Sequence, residues 1–225
     1  MSDITGNLKF IKSQIPQSVR LVAVSKTRPA NDVQIAYNTG HRFFGENRVQ
    51  ELLNKKDLLP DDIEWHLIGH LQTNKVKYIV PFISMIQSVD TYKLLRVINS
   101  EALKISRVID CLLQIHIAAE ETKFGFSMDE IKEMVNTDVF SDLKNINIRG
   151  VMGMATFTSD EGKVKLEFAN LKEYFNILKI NYFSNRPQFS EISMGMSGDY
   201  LAAINEGSTI IRIGSLIFGE RTKTK

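Results

Sequence analysis

The 225-residue chain contains a single cysteine, Cys111, only five prolines and one tryptophan. One cysteine cannot form an internal disulfide or a multi-cysteine metal site, which fits a reducing compartment. Neither sign of charge dominates, because the chain has 28 lysines and arginines and 26 aspartates and glutamates. No broad surface for binding nucleic acid is therefore expected. No apolar run approaches the roughly 20 residues that span a bilayer, and the first fourteen residues lack a signal-peptide pattern. The composition predicts a soluble, cytoplasmic protein that does not associate with membranes.

Eight short segments rich in β-branched and aromatic residues alternate with segments of helical periodicity. The predicted strands are 20–25, 41–45, 63–68, 83–89, 108–117, 148–154, 191–194 and 210–213. Apolar residues at steps of three and four predict helices between them and a further helix over 4–15, and Ser127 with Glu130 is typical of a capping box. Alternating strands and helices form right-handed βαβ units with a parallel sheet. We therefore expect an α/β fold, a single (β/α)8 TIM barrel over residues 1–225 with an extra N-terminal helix.

A lysine follows the first predicted strand, at the end where the active sites of parallel barrels are found. Lys26 comes directly after the apolar run Leu21–Val24 and Ser25. Burial of a lysine lowers its pKa and exposes the nucleophilic amine that Schiff-base chemistry requires. The alternative is a lysine whose ammonium group reaches solvent at the rim of the barrel. The segment alone leaves both interpretations open.

The loops after the seventh and eighth strands are rich in small residues. Ser193–Asp199 follows one strand, and Gly214 with Ser215 follows the other. Backbone N–H groups of such loops can surround an anion, and these two loops often form the phosphate site of a barrel. Turns needed only for tight packing are the alternative. Arg212 alternates with Ile211 and Ile213, which predicts that it lies inside the barrel and leaves a structural salt bridge as the competing interpretation.

The remaining polar strand ends carry weaker signals. Residues 45–47, Gly-Glu-Asn, are also ordinary turn and helix-capping chemistry. His66 and His70 are separated by a turn glycine and lack nearby ligands, so no zinc site is predicted. Asp90 is expected to cap the helix that follows it rather than to act as a base.

Five motifs occur together in order along the chain: Val22–Pro29, Phe44–Asn47, Trp65–Lys75, Ser193–Ser197 and Arg212–Gly219. This set resembles the pyridoxal phosphate homeostasis proteins, and the match covers almost the whole chain. That family is similar to the N-terminal barrel of alanine racemase, of the fold-type III group. The segment from Gln114 to Gly125, with Glu121 and Lys123, resembles another family segment but has His116 where an asparagine is expected. His116 is therefore given no role, and neither is His70, because the resemblance implies that position 70 varies in the family.

The resemblance implies pyridoxal 5′-phosphate (PLP) as the cofactor. Lys26 matches the lysine that forms the internal aldimine, and Arg212 matches the arginine near the pyridine nitrogen. Ser197 matches a phosphate-binding serine, and the second phosphate loop matches Gly214 with Ser215. The full set of implied cofactor-binding residues is Lys26, Asn47, Met194, Ser197, Arg212, Gly214 and Ser215.

Two functions, cofactor binding without catalysis and amino-acid racemisation, are compatible with these residues. A permanent charge beside the pyridine nitrogen disfavours its protonation, so the ring is a weak electron sink and efficient catalysis is not expected. The first function is a non-enzymatic protein that buffers PLP or delivers it to apo-enzymes. The second is an amino-acid racemase, which needs a second acid/base opposite the lysine. In alanine racemase a tyrosine from an additional domain serves, whereas here the last strand ends near residue 213 and all six tyrosines lie in barrel segments. We expect the binding protein, as a monomer.

Overall fold

Eight parallel strands close into a barrel in chain order in the computed structural model of the protein. The structure describes residues 3–118 and 124–220. The strands are β1 Arg20–Val24, β2 Phe43–Glu46, β3 Glu64–Leu67, β4 Met85–Val89, β5 Ile109–Gln114, β6 Ile146–Met152, β7 Glu191–Ser193 and β8 Ile210–Ile213. The predicted barrel and its eight strands are confirmed. Predicted strand ends differ mainly at β5, which leaves the sheet after Gln114, where Ile115 forms an isolated bridge with Phe126.

Helices cover the outside of the barrel. They are α1 Ile4–Gln14, α2 Ala30–Asn38, α3 Val49–Lys56, α4 Val76–Ile79, α5 Tyr92–Leu103, α6 Met128–Val135, α7 Asp138–Ser141, α8 Glu161–Asn181, α9 Tyr200–Asn205 and α10 Ser215–Phe218. Between β3 and β4 the helical segment consists of a 3₁₀ turn, Thr73–Lys75, followed by the short α4. Within the described ranges, no helix combines the length and the apolar character needed to cross a membrane.

The predicted N-terminal helix is present as α1. Asp3 caps it by accepting a hydrogen bond from the Gly6 N–H at 2.9 Å. Its apolar positions Ile4, Leu8 and Ile11 are buried, and the helix ends before Ile15 because Pro16 follows, which disfavours helical backbone at the preceding residue. Asn7 donates to the Ile217 carbonyl at 3.0 Å, so the first helix is joined to the last one, α10.

Two helix caps test the sequence predictions. The capping box of Ser127 and Glu130 is confirmed at the start of α6. The prediction that Asp90 caps α5 is wrong, because Thr91 is the N-cap and accepts from the Leu94 N–H at 3.2 Å. Asp90 instead lies with one carboxylate oxygen 2.7 Å from Nδ1 of His70.

The core has two layers, as the alternation of strand residues requires. The larger layer fills the space between the strands and the helices, and it contains Ile211 and Ile213. The smaller layer fills the barrel interior with Val22, Met85, Leu112, Met152 and Ile210. Arg212 is opposite Val22 in the register of β8 and β1, which places it on the interior side as predicted.

Candidate functional site

The predicted site residues lie at one end of four neighbouring strands. β1 pairs with β8 on one side and with β2 on the other, and β7 adjoins β8. Lys26 follows β1, Asn47 follows β2 and Ser197 follows β7, while Arg212 lies on β8 itself. Closure of the barrel therefore brings these separate sequence segments to one end of it, where the carboxyl ends of the strands lie.

The backbone on both sides of Lys26 is fixed by groups from β2 and α3. The Ser25 N–H donates to the Gly45 carbonyl at 3.0 Å, and its hydroxyl donates to Oε1 of Glu46 at 2.6 Å. On the other side, the Thr27 N–H donates to Oε2 of Glu51 at 2.8 Å. Thr27 has a φ of 64°, a left-handed conformation that costs free energy in a β-branched residue. Lys26, which is half-buried, is thus held at a turn of defined geometry.

A buried ion pair supports this turn. Lys55 donates to Oε1 of Glu46 at 2.6 Å and to the Ser25 carbonyl at 2.7 Å. Burial raises the pKa of Glu46, and the nearby ammonium of Lys55 opposes that rise. The other carboxylate oxygen, Oε2, is buried without a hydrogen-bond partner among the described residues. Sequence patterns do not point to Lys55, since a lysine on a helix is usually solvated, and Glu46 falls in a segment that equally suits an ordinary turn.

The two small-residue loops meet. The Gly214 N–H donates to the Ser197 hydroxyl oxygen at 3.4 Å, so the loops after β7 and β8 adjoin. Gly214 also packs on β1, because a Cβ added there would lie 3.1 Å from the Val24 carbonyl oxygen. Gly198 faces open space, since a Cβ added there would meet nothing within 4 Å. Ser215 is exposed at the start of α10, so both loops present small residues beside the strand that leads to Lys26.

The side chain of Arg212 is buried inside the barrel, and its hydrogen-bond partners are neutral. It donates to the Ser193 hydroxyl at 2.6 Å and to the Gly153 carbonyl at 2.9 Å. Within the described part of the chain it has no carboxylate oxygen within 4.0 Å, so the structural salt bridge considered from the sequence is not formed. Burial lowers the pKa of Arg212 to about 10, and the more distant Asp199 opposes this. The guanidinium therefore places a positive charge in the interior.

Asn47 and Met194 differ in their fit to the site. Oδ1 of Asn47 is buried and has no hydrogen-bond partner among the described residues, which suits an acceptor for a ligand donor. Met194 is fully buried in the outer core layer, with Ser193 on the opposite, interior side. The expectation that its side chain lines the pocket is therefore corrected: the alternation along β7 turns it toward the helices.

Comparison with known proteins places this chain in a family. The family model described as "Alanine racemase, N-terminal domain" matches residues 1–222. A pyridoxal phosphate homeostasis protein of Aquifex aeolicus is 40% identical over 203 residues, covering 90% of this chain and 87% of the relative. The protein of that name from Escherichia coli K12 is 32% identical over 239 residues, covering 100% of both. The chain belongs to the pyridoxal phosphate homeostasis protein family.

Solved structures agree with the family assignment. PipY of Synechococcus elongatus PCC7942, solved with PLP bound, has a TM-score of 0.86 at 35% identity and covers 96% of this chain and 100% of its own. Alanine racemase of Clostridium difficile 630 has a TM-score of 0.78 at 14% identity, with 99% of this chain and 61% of that one covered. The second likeness shows the barrel fold alone.

A polar cluster on the β3–β5 side of this family member lies apart from the predicted residues. His70 contacts Asp90, and its ring stacks on Phe124 with the ring centroids 4.1 Å apart. His66 is buried elsewhere, with Nδ1 2.7 Å from the amide nitrogen of Gln87. The two histidines thus have separate partners. Residues 119–123, which include Glu121 and Lys123 of the family-like segment, lie outside the described residues.

Proposed function

We propose that this chain binds PLP through Lys26 and takes part in intracellular PLP homeostasis, buffering or delivering the cofactor. The observation that carries the proposal is that Lys26, Arg212 and the Ser197–Gly214 contact lie on or directly after the neighbouring strands β1, β7 and β8. Membership of the homeostasis family and the PLP-bound structure of PipY support it.

The residues present fit the cofactor. When bound, PLP supplies an aldehyde that a lysine amine captures reversibly, a pyridine ring and a phosphate dianion. Lys26 provides the amine at a fixed turn. The loops of Ser197, Gly214 and Ser215 offer small residues and N–H groups to the phosphate. Arg212 would present its positive charge to the ring nitrogen, and Oδ1 of Asn47, which has no partner among the described residues, would accept a hydrogen bond from the ligand.

We propose further that the protein has no efficient catalysis of its own. Arg212 has only neutral hydrogen-bond partners, and its charge disfavours protonation of the ring nitrogen. An unprotonated ring is a weak electron sink for the α-carbon of a substrate, so removal of a proton from that carbon is slow. The fold shared with alanine racemase favours weak amino-acid racemase activity as the second candidate. It would require a proton donor on the face opposite Lys26.

The proposal includes the organisation and setting of the protein. Residues 1–225 act as a single domain, a proposal supported by the contact of Asn7 with Ile217, which joins the first helix to the last. The cytoplasm is the proposed compartment, since the one cysteine, Cys111, is a buried free thiol. We predict a monomer whose partners are PLP and apo-enzymes that need it. Sedimentation velocity would test the oligomeric state.

Substitution of Lys26 tests the proposal. Lys26→Ala should abolish the visible absorbance of the PLP-loaded protein and its covalent trapping by borohydride, with an unchanged circular dichroism spectrum. Lys75→Ala is the matched control, because Lys75 also follows a strand end and should retain both signals. Peptide mass mapping identifies the trapped residue. Trapping at a lysine other than Lys26 in the wild-type protein would refute the assignment, and transfer of PLP to an apo-enzyme tests the delivery role.

A further inference from the structure

Four buried polar side chains form an unbroken line of hydrogen bonds through the barrel interior. Arg212 Nη1 donates to Ser193 Oγ at 2.6 Å, and Ser193 Oγ donates to Gln87 Oε1 at 2.7 Å. Nε2 of Gln87 lies 2.7 Å from Nδ1 of His66. The four residues come from β8, β7, β4 and β3, and none is more than 4% exposed. The line therefore crosses from the proposed ligand site to the far side of the barrel without solvent.

The donors and acceptors along this line have a fixed direction. A guanidinium has only donors, so the Ser193 oxygen accepts from Arg212, and the single hydroxyl hydrogen is left for Gln87. The amide of Gln87 accepts that hydrogen through its oxygen and donates from its nitrogen to His66. Burial, together with the charge of Arg20, lowers the pKa of His66 to about 3, so its ring is neutral and Nδ1 can accept.

Every acceptor in the line is neutral, and this has an electrostatic consequence. A carboxylate at the position of Gln87 would cancel much of the Arg212 charge, because opposite charges attract strongly in a buried site. The Gly153 carbonyl, the other partner of Arg212, is neutral as well. Asp199 attracts Arg212 only from beyond ion-pair distance. The positive charge therefore stays available to the ligand atom that faces Arg212.

We propose that Gln87, with Ser193 and His66, positions Arg212 and keeps its charge uncompensated, so that the site selects a ring whose nitrogen is unprotonated. This inference rests on the proposed function, since the ring is that of PLP. His66 acts at the end of the line, where its accepting nitrogen orients the Gln87 amide. The three are positioning residues that act through Arg212.

Two probes measure the selection directly: PLP, and PLP methylated at its ring nitrogen, which carries a permanent positive charge. The quantity is the ratio of their dissociation constants, in which differences of size and aldehyde reactivity cancel between variants. Gln87→Glu replaces a neutral acceptor by a carboxylate of the same shape, and His66 can then donate from Nδ1. The preference of the wild-type protein for the unmethylated ring should fall about tenfold in this variant, a modest share of a buried charge–charge interaction.

A matched control variant and a second substitution that interrupts the line of hydrogen bonds complete the experiment. Gln17→Glu adds the same charge at an exposed position before β1, and the ratio should not change. Ser193→Ala removes the hydrogen-bonded link between Gln87 and Arg212. It should also lower the preference for the unmethylated ring. If Gln87→Glu does not fold, the result for Ser193→Ala tests the inference instead. A wild-type ratio retained in the folded variants, with PLP still captured on Lys26, overturns the inference. Failure of the wild-type protein to capture PLP on Lys26 instead refutes the proposed function.

Discussion

The buried ion pair of Lys55 and Glu46 should contribute to the free energy of unfolding by an amount that depends on pH. Lys55→Met keeps the aliphatic length of the side chain but removes its ammonium group, and it leaves the Glu46 carboxylate buried without a cation. Breaking a buried ion pair on one side costs about 3–5 kcal/mol. The side chains are only 8% and 0% exposed, so solvent screens the pair little. We expect a loss of that size in the free energy of urea unfolding at about pH 8.

The loss should shrink in acid, and its sign follows from the pKa of Glu46. Burial already raises this pKa in the folded protein, and Lys55 is the largest influence that lowers it. Without Lys55 the folded pKa rises further, so the folded state binds a proton more tightly than the unfolded state does. Stability then increases as pH falls toward the unfolded pKa of about 4.3. At about pH 5 the cost should be only about 1–2 kcal/mol, the share of the lost hydrogen bonds.

Two controls isolate the cause. Lys56→Met alters the next lysine on α3, which is more exposed and contacts Asp57 at 3.3 Å, and should change stability by no more than about 0.5 kcal/mol. Glu46→Gln combined with Lys55→Met removes both charges and should remove the added pH dependence. An equal loss for Lys55→Met at both pH values would refute the electrostatic reasoning, because packing alone does not titrate.

Two further predictions concern the ligand. Ser197→Ala should weaken PLP binding by about 1–3 kcal/mol, the range for one hydrogen bond to a charged group, while pyridoxal without its phosphate should be almost insensitive to the change. Titration calorimetry measures both, and an equal loss for the two ligands would show that Ser197 does not contact phosphate. Added alanine should exchange its α-hydrogen with solvent deuterium very slowly, because Arg212 limits electron withdrawal by the ring. Fast exchange with inversion that disappears in Lys26→Ala, followed by NMR, would favour the racemase instead.

Local patterns in the sequence were sufficient for the barrel and for part of the site. Strand and helix periodicities are repeated along the chain, so eight βα units could be counted without any long-range contact. The side chain of Arg212 was placed inside because it alternates with Ile211 and Ile213, and this was confirmed. The same alternation, continued past Ser193, turns Met194 away from the interior, whereas the family resemblance implies that Met194 lines the pocket.

The residues that sequence patterns do not reveal make contacts between segments far apart in the chain. Lys55 supports Ser25 from thirty positions away, and Gln87 meets Ser193 across 106 positions. Neither contact leaves a periodic or local signal, because a lysine on a helix and a glutamine on a strand have many ordinary roles. The pairing of β1 with β2 brings Lys55 to Ser25, whereas Gln87 and Ser193 meet only because the closed barrel places β4 and β7 across its interior from one another.

The geometry divides the work of the site between the two neighbours of β1. On one side, β2 and α3 fix the turn that carries Lys26, through Glu46, Lys55 and Glu51. On the other side, β7 and β8 provide Arg212 and the loops that meet at Ser197 and Gly214. β1 is the only strand hydrogen-bonded to both groups in the described barrel. Since β1 pairs with β8 only where the sheet closes, Lys26 and the loops that meet at Ser197 and Gly214 come together only in the closed barrel.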